Sequence, residues 1–366
     1  MRIICYGSFI DYQMQLANTL SKDNEVIIVL PMNKLPTEYS GILDKKVSVH
    51  LLGRGKALFH PTNLLVLKDT IQMIQRFRPD VIHMQLGGGK FDLALLPFFK
   101  KYPLVATFHD VILHVGEESR MVNFIRHWLR KYSDEIIVHG KKLREQMILE
   151  YNIPSEKVHA IHIGEHEVAP FKKYERIDIK EAGNLILFFG RIYPYKGLEY
   201  LIRAEPLITK ELPNAKIVIA GAGRNFEKYK KMMGSRSDSF IVRNYHISYQ
   251  EGAELFQRSS LVVLPYIQAS QSGVVPTAYG FKKPVVVTNV GSIPEIVDDN
   301  RTGIIVPPRD SQALAEAVVR LLKNEKLRKG MGENAYKKLK EDFSWERIII
   351  NTVKVYNKAI ADAKKK

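Results

Sequence analysis

The sequence predicts an α/β protein made of two doubly wound parallel-sheet domains, and three observations predict it. Short apolar runs rich in Val, Ile and Leu alternate with helical periodicity along almost the whole chain, which is the layout of successive βαβ units. The runs are continuous rather than alternating polar and apolar, as strands buried on both faces are. The chain has 366 residues, enough for two such domains with separate cores, and the pattern breaks at EHEVAPFKKYERIDIKEAG (165–183), a mixed-charge stretch without an apolar period.

In the first half, residues 3–6, 26–30, 47–51, 81–84, 104–108, 136–138 and 158–163 read as strands with helices between them. Gly7 and Ser8 occupy the first strand-to-helix turn, where backbone amides can face a ligand. Gly87, Gly88 and Gly89 form a later loop open to two readings, an acceptor contact or a plain turn. LVATFHDVILH puts His109 and Asp110 at the carboxyl end of the fifth strand, where an imidazole on its own reads as structural. Met121, Phe124, Ile125, Trp128 and Leu129 then recur at helical spacing among Arg120, Arg126, Arg130 and Lys131. That pattern fits an interfacial helix on an anionic membrane, and equally a helix packed on the sheet with a solvated back. The domain boundary falls near residue 175, giving domains over 1–175 and 176–345, with a terminal helix and lysine tail over 346–366.

The second half repeats the scheme with strands at 185–189, 216–220, 240–242, 261–264, 285–287 and 303–306. In LILFFGRIYPYKGLEYLIRA the apolar run stops at Gly190 and a helix opens after Gly197, so Arg191 and Lys196 lie on a strand-to-helix loop. Ligands of open α/β sheets bind at the carboxyl ends of strands, and two cations beside a helix start suit a phosphate group. The plainer alternative is a surface turn with two solvated charges. Gly221 and Gly223 in AGAGR close the next strand, a weak signal by itself.

Composition narrows the function classes. With 45% hydrophobic and 26% charged residues the chain is an ordinary globular protein. No apolar run reaches the ~20 residues of a membrane span, and MRIICYGSF enters a strand pattern directly, so a cytoplasmic protein is expected. The single cysteine, Cys5, excludes an intramolecular disulfide and a cysteine-rich metal site. Fifty-five Lys and Arg against 39 Asp and Glu give a net charge of +16, which favours a polyanionic partner such as a phosphorylated substrate or an anionic membrane. Nucleic acid is the weakest option, because the aromatics fall in strand and helix patterns rather than among basic residues on one face.

LILFFGRIYPYKGLEYLIRA, PVVVTNVGSIPEIV and TGIIVPP, in this order and spacing, resemble the carboxyl-terminal domain of the family 4 glycosyltransferases, with a weaker match through the first half. The resemblance implies the GT-B fold, two Rossmann-like domains facing across a cleft. It also implies a nucleotide-sugar donor, UDP- or GDP-linked, held by the second domain, a lipid-linked or glycan acceptor on the first, and sugar transfer with retention. No cofactor beyond the donor is implied. His109 matches the family's histidine that faces the donor sugar, and Gly7 lies where members often carry a glycine pair, which this chain lacks.

The chain departs from the family where donor recognition is concentrated. Most members carry two glutamates with seven residues between them ahead of the Pro-Val-Val strand; aligned on Pro284, those positions are Ala269 and Thr277. No Asp or Glu occurs from Leu255 to Pro294, so a shifted alignment does not restore the pair. Ser270, Gln271, Ser272 and Gly273 still precede an apolar helical segment with Pro276 in its first turn, so amides around Ser272, Gly273 and Val274 are expected to face a phosphate. Ser270 or Gln271 is expected to take over hydroxyl recognition. Fixed cations at a departing diphosphate lower the barrier to glycosyl transfer, and the absence of an Asp-x-Asp signature fits catalysis without a metal. Two other readings stay open: a noncatalytic GT-B protein that binds a nucleotide or a partner, and a sugar-nucleotide epimerase.

Overall fold

The computed structural model describes residues 1–7, 9–31, 43–52, 61–85, 90–113, 119–165 and 168–365. Ser8 and the three glycines Gly87, Gly88 and Gly89 lie outside the described residues. The chain forms two compact units, the first running to Ile163 and taking back Trp345–Lys366, the second covering Gly164–Ser344.

In the first unit β1 (Arg2–Tyr6), β2 (Glu25–Pro31), β3 (Ser48–Leu52), β4 (Val81–Gln85), β5 (Leu104–Phe108), β6 (Glu135–Val138) and β7 (Val158–Ala160) form one sheet in the order β3-β2-β1-β4-β5-β6-β7. In the second, β8 (Leu185–Phe189), β9 (Lys216–Ala220), β10 (Phe240–Arg243), β11 (Leu261–Leu264), β12 (Val285–Thr288) and β13 (Gly303–Val306) run in the order β10-β9-β8-β11-β12-β13. Every pairing is parallel. Period-two alternation sends Ile3 and Cys5 into one core layer and Ile4 and Tyr6 into the other; Ile186 and Phe188 likewise part from Leu185 and Leu187. Both faces of each sheet are therefore apolar, which is why the strand runs are continuous. Cys5 is part of this core, and burial pushes its thiol up to about 12.

Strand order reverses between β1 and β4 and again between β8 and β11. At such a switch point neighbouring connections leave on opposite faces of the sheet and open a crevice at the carboxyl ends of the strands. The loop after β8, with Arg191 and Lys196, and the loop after β11, with Ser270 to Gly273, flank the second switch point.

The stretch 165–183 departs from the expected connector. Its helix Val168–Lys172 buries Val168 and Phe171 in the second unit's core, and the Ala182 amide donates to the Arg258 carbonyl. The boundary accordingly falls after Ile163 rather than near residue 175: nine charged residues in nineteen hid two apolar anchors. The terminal helix Trp345–Ala363 belongs to the first unit, where Tyr356 is fully buried and its hydroxyl meets His83 Nδ1 at 2.6 Å.

The helix Arg120–Tyr132 starts at a Ser119 cap and buries Ile125 and Leu129. Arg126, expected on a lipid-facing or solvated side, is instead 5% exposed and donates to the carbonyls of Asp110 and Val111. Arg130 lies 3.6 Å over the Tyr151 ring, whose hydroxyl also reaches Val111. These two arginines tie down the loop after His109. Among the described residues no helix is long and apolar enough to cross a membrane.

Candidate functional site

Close backbone approach brings three strand-end loops of the second unit together. Gly197 sits at φ +66°, and a Cβ there would lie 1.9 Å from the Pro265 carbonyl oxygen, so the loop after β8 rests on the loop after β11. The Ile267 amide donates to the Tyr195 carbonyl at 2.8 Å across the same seam. Gly291, at φ +52°, binds the loop after β12 in the same way: a Cβ would fall 1.6 Å from the Ala269 carbonyl oxygen, and the Ser292 amide donates to the Ser270 carbonyl at 3.1 Å.

Lys196 is placed by this junction. Its Nζ stands 3.9 Å from the centroid of Tyr266, which is 1% exposed, and the Tyr266 hydroxyl lies 3.4 Å from Ser272 Oγ. The structure thus joins two residues far apart in sequence, Lys196 and Ser272, through a tyrosine that sequence reasoning missed; the Pro-Tyr after β11 was the only signal. Arg191 is exposed beside the Tyr193 ring, 5.1 Å from its centroid. Gly190 adjoins the first turn of the helix Val274–Gly280, since a Cβ on it would contact the Val274 side chain at 3.8 Å. Gly190, Arg191, Lys196 and Ser272 to Val274 are therefore neighbours.

Two bonds within this loop use groups of the expected donor stretch. The Val274 amide donates to Ser272 Oγ at 3.3 Å, within the stretch expected to face a phosphate. Thr277 is fully buried and donates to the Gly273 carbonyl at 3.0 Å, one turn back in its own helix. Ser270 is 6% exposed and supplies a backbone acceptor to Ser292. Gln271 fits its expected task better: Oε1 is buried and has no hydrogen-bond partner among the described residues. Ser292 Oγ is in the same condition at 1% exposure, and its place in GSIPE after β12 gave no warning of it. A buried acceptor left without a donor costs ~1–3 kcal/mol, a penalty that a ligand hydroxyl removes.

In the first unit, Gly7 closes β1 against β4, where a Cβ would meet the Gln85 carbonyl oxygen at 2.3 Å. Gln85 ends β4 at the switch point with both side-chain polar atoms buried and without a partner among the described residues, a second feature unseen in the sequence. His109 follows β5 at 3% exposure; Phe9 stacks on its ring at 3.8 Å, Tyr12 meets it edge-on at 5.3 Å, and His139 Nε2 lies 3.1 Å from its Nδ1.

Two α/β units with all-parallel sheets, each with one reversal of strand order, are the two-domain layout of a GT-B protein. Residues 171–338 match the glycosyl transferases group 1 and residues 12–164 Glycosyltransferase Family 4. An uncharacterised glycosyltransferase of Methanocaldococcus jannaschii is 30% identical over 300 residues, 77% of this chain and 76% of that one. Sucrose-phosphate synthase of Thermosynechococcus elongatus superposes with a TM-score of 0.75 over 99% of this chain and all of that one, at 17% identity. Anabaena HepE, solved with UDP and glucose, superposes with a TM-score of 0.73 over 98% and 100% of the two chains, at 16% identity. The chain belongs to the GT-B glycosyltransferases of the family 4 type.

Proposed function

We propose that this glycosyltransferase is a hexosyltransferase that takes its sugar from a UDP- or GDP-linked donor, retains the anomeric configuration and uses no metal ion. The observation that carries the reading is the line Lys196, Tyr266, Ser272 at the second switch point, with Arg191 beside it. As the bond from the anomeric carbon to the diphosphate breaks, negative charge grows on the leaving phosphate and positive charge on the sugar. Lys196 and Arg191, held by the fold before the reaction starts, stabilise the growing anion. The acceptor hydroxyl attacks the face the diphosphate leaves and passes its proton to a phosphate oxygen, so no carboxylate nucleophile is needed where Ala269 and Thr277 stand.

Hydroxyl recognition is assigned to Gln271 and Ser292, whose side-chain oxygens have no hydrogen-bond partner among the described residues. HepE binds UDP and glucose, which supports a nucleotide-sugar donor here. The acceptor is a lipid-linked or growing glycan. A peripheral position on an anionic membrane is supported by the +16 charge and by Met121 and Phe124, which are 40% and 49% exposed on a helix that also carries the exposed Arg120 and Lys131. Thermal shifts with UDP, GDP, CDP and ADP, followed by hydrolysis of the matching sugar nucleotides with and without EDTA, test the proposal. Binding of one diphosphate with EDTA-resistant hydrolysis is expected; tight binding with no turnover of any donor would leave a nucleotide-binding protein instead.

A further inference from the structure

Among the described residues β7 is the last strand of the first sheet, so its outer edge meets no further strand. That edge floors a cavity of about 560 Å³, walled by the helix Lys141–Tyr151, the turn Ser155–Lys157 and the terminal helix Trp345–Ala363, all within the first unit. The size is ordinary for a small-molecule site. Val158, Ile161 and Val355 line it from the buried side, and Ala160 lines it from the open edge, so its base is apolar. Arg144 is fixed in the wall. Its Nε donates to the Val158 carbonyl at 2.7 Å and Nη2 to the Ser155 carbonyl at 2.6 Å, which leaves Nη1 without a protein partner among the described residues. Both acceptors are neutral, so the charge of the guanidinium is uncompensated. Lys354 enters the lining from the terminal helix, exposed and likewise without an ion pair among the described residues. The third cation, Lys358, is already spent: it meets Glu135 and Asp362, and Lys365 closes on Asp362 at 3.5 Å. Those two lysines balance those two carboxylates, and His159 Nε2 also meets Glu135 at 2.6 Å. Arg144 and Lys354 therefore stand against the exposed Glu156 alone, an excess of one positive charge over an apolar base.

We propose that this cavity is a binding site for a small anion with an apolar body, a carboxylate or a phosphate monoester, its head between Arg144 and Lys354 and its body on Val158, Ile161 and Val355. A guanidinium already held by two hydrogen bonds loses little freedom when a ligand arrives, so little of the binding free energy goes into ordering it. Arg144 and Lys354 lie on different helices. A bound anion thus bridges them and fastens the terminal helix to the sheet it completes. The site lies in the first unit and is independent of the phosphate site read at Lys196 in the second.

Titration calorimetry on the full chain with phenyl phosphate and with benzoate tests the site, benzyl alcohol supplying the body without the charge and inorganic phosphate the charge without the body. At least one aromatic anion should bind more tightly than either control and raise Tm, as a ligand of the native state does. Lys354→Glu, at an exposed position, removes one attraction and adds one repulsion, and should weaken that binding about 10-fold. Ala160→Phe, also at an exposed position, fills the cavity and should abolish it with every charge left in place. Binding undiminished in either variant puts the anion elsewhere and overturns the proposal. So does a failure of both aromatic anions to bind, or a control that binds as tightly as the better of them.

Discussion

Replacing Lys196 by Met removes one charge and keeps the side chain's length over Tyr266. The stability cost should stay within the ~1–2 kcal/mol of a partly desolvated cation–π contact, because Tyr266 keeps its bond to Ser272 and the Tyr266 carbonyl still accepts from Thr288. The catalytic cost is larger. A unit charge ~4 Å from a phosphate oxygen is worth about 4 kcal/mol at the effective dielectric of a protein surface, but only the part that grows as the leaving group departs affects kcat. Loss of one preorganised donor elsewhere lowers kcat by ~100- to 1,000-fold, and Lys196→Met should lie at the lower end because Arg191 remains. Affinity for the free nucleoside diphosphate should fall by less, about 10-fold, the size of a 1.4 kcal/mol loss. Donor turnover measures the first and titration calorimetry with the diphosphate the second. Turnover within a factor of three of wild type, with a verified donor, would place the phosphate elsewhere and return GRIYPYKG to a surface turn.

Gln271→Ala should raise the donor KM or shift sugar preference while leaving affinity for the bare nucleotide unchanged; equal losses across all sugar nucleotides and the nucleotide would remove Gln271 from hydroxyl recognition. The double change Arg120→Glu and Lys131→Glu should abolish salt-sensitive co-sedimentation with anionic vesicles without altering Tm, and unchanged sedimentation would end the membrane reading of that face. Burial, with His139 close by, lowers the pKa of His83 to about 3, whereas its unfolded value is near 6.5. Below pH ~6.5 the unfolded chain takes up a proton that the native state refuses. The stability contributed by neutral His83 is therefore complete above that pH and is lost at about 1.4 kcal/mol per unit as pH falls towards 3. Urea unfolding at pH 7 and pH 5 should show a loss about 2 kcal/mol greater in wild type than in His83→Gln, and parallel losses would refute the assignment.

The central strands were readable because they are buried on both faces, which imposes a continuous apolar composition. The loop cations were readable for a topological reason: whatever follows an apolar run and precedes a helix must lie at a strand's carboxyl end. Contacts between distant loops were not. Nothing local marks Tyr266 as the bridge from Lys196 to Ser272, and Gly291 reads as a turn glycine until its contact with Ala269 is seen. Arg126 misled because helical charge periodicity records which residues are polar and not how far their side chains reach; a guanidinium can lie on the buried side when carbonyls wait there.

The return of the last helix to the first unit sets the order in which a nascent chain can mature. His83 and Tyr356, bonded in the native state, are 273 positions apart, and the core layer holding Ile3 and Cys5 is finished by Trp345, Ile348, Val355 and Ala359. Residues up to 163 thus leave the ribosome with one flank of their sheet bare and must wait for the whole of Gly164–Ser344 to be made. At ~5–20 residues per second that interval is on the order of 10 to 40 s. The second unit, continuous in sequence, can close in that time, which reverses the usual amino-terminal-first order. A chaperone that shields the bare flank, or a slow stretch of codons before residue 345, would act on yield without touching the native structure.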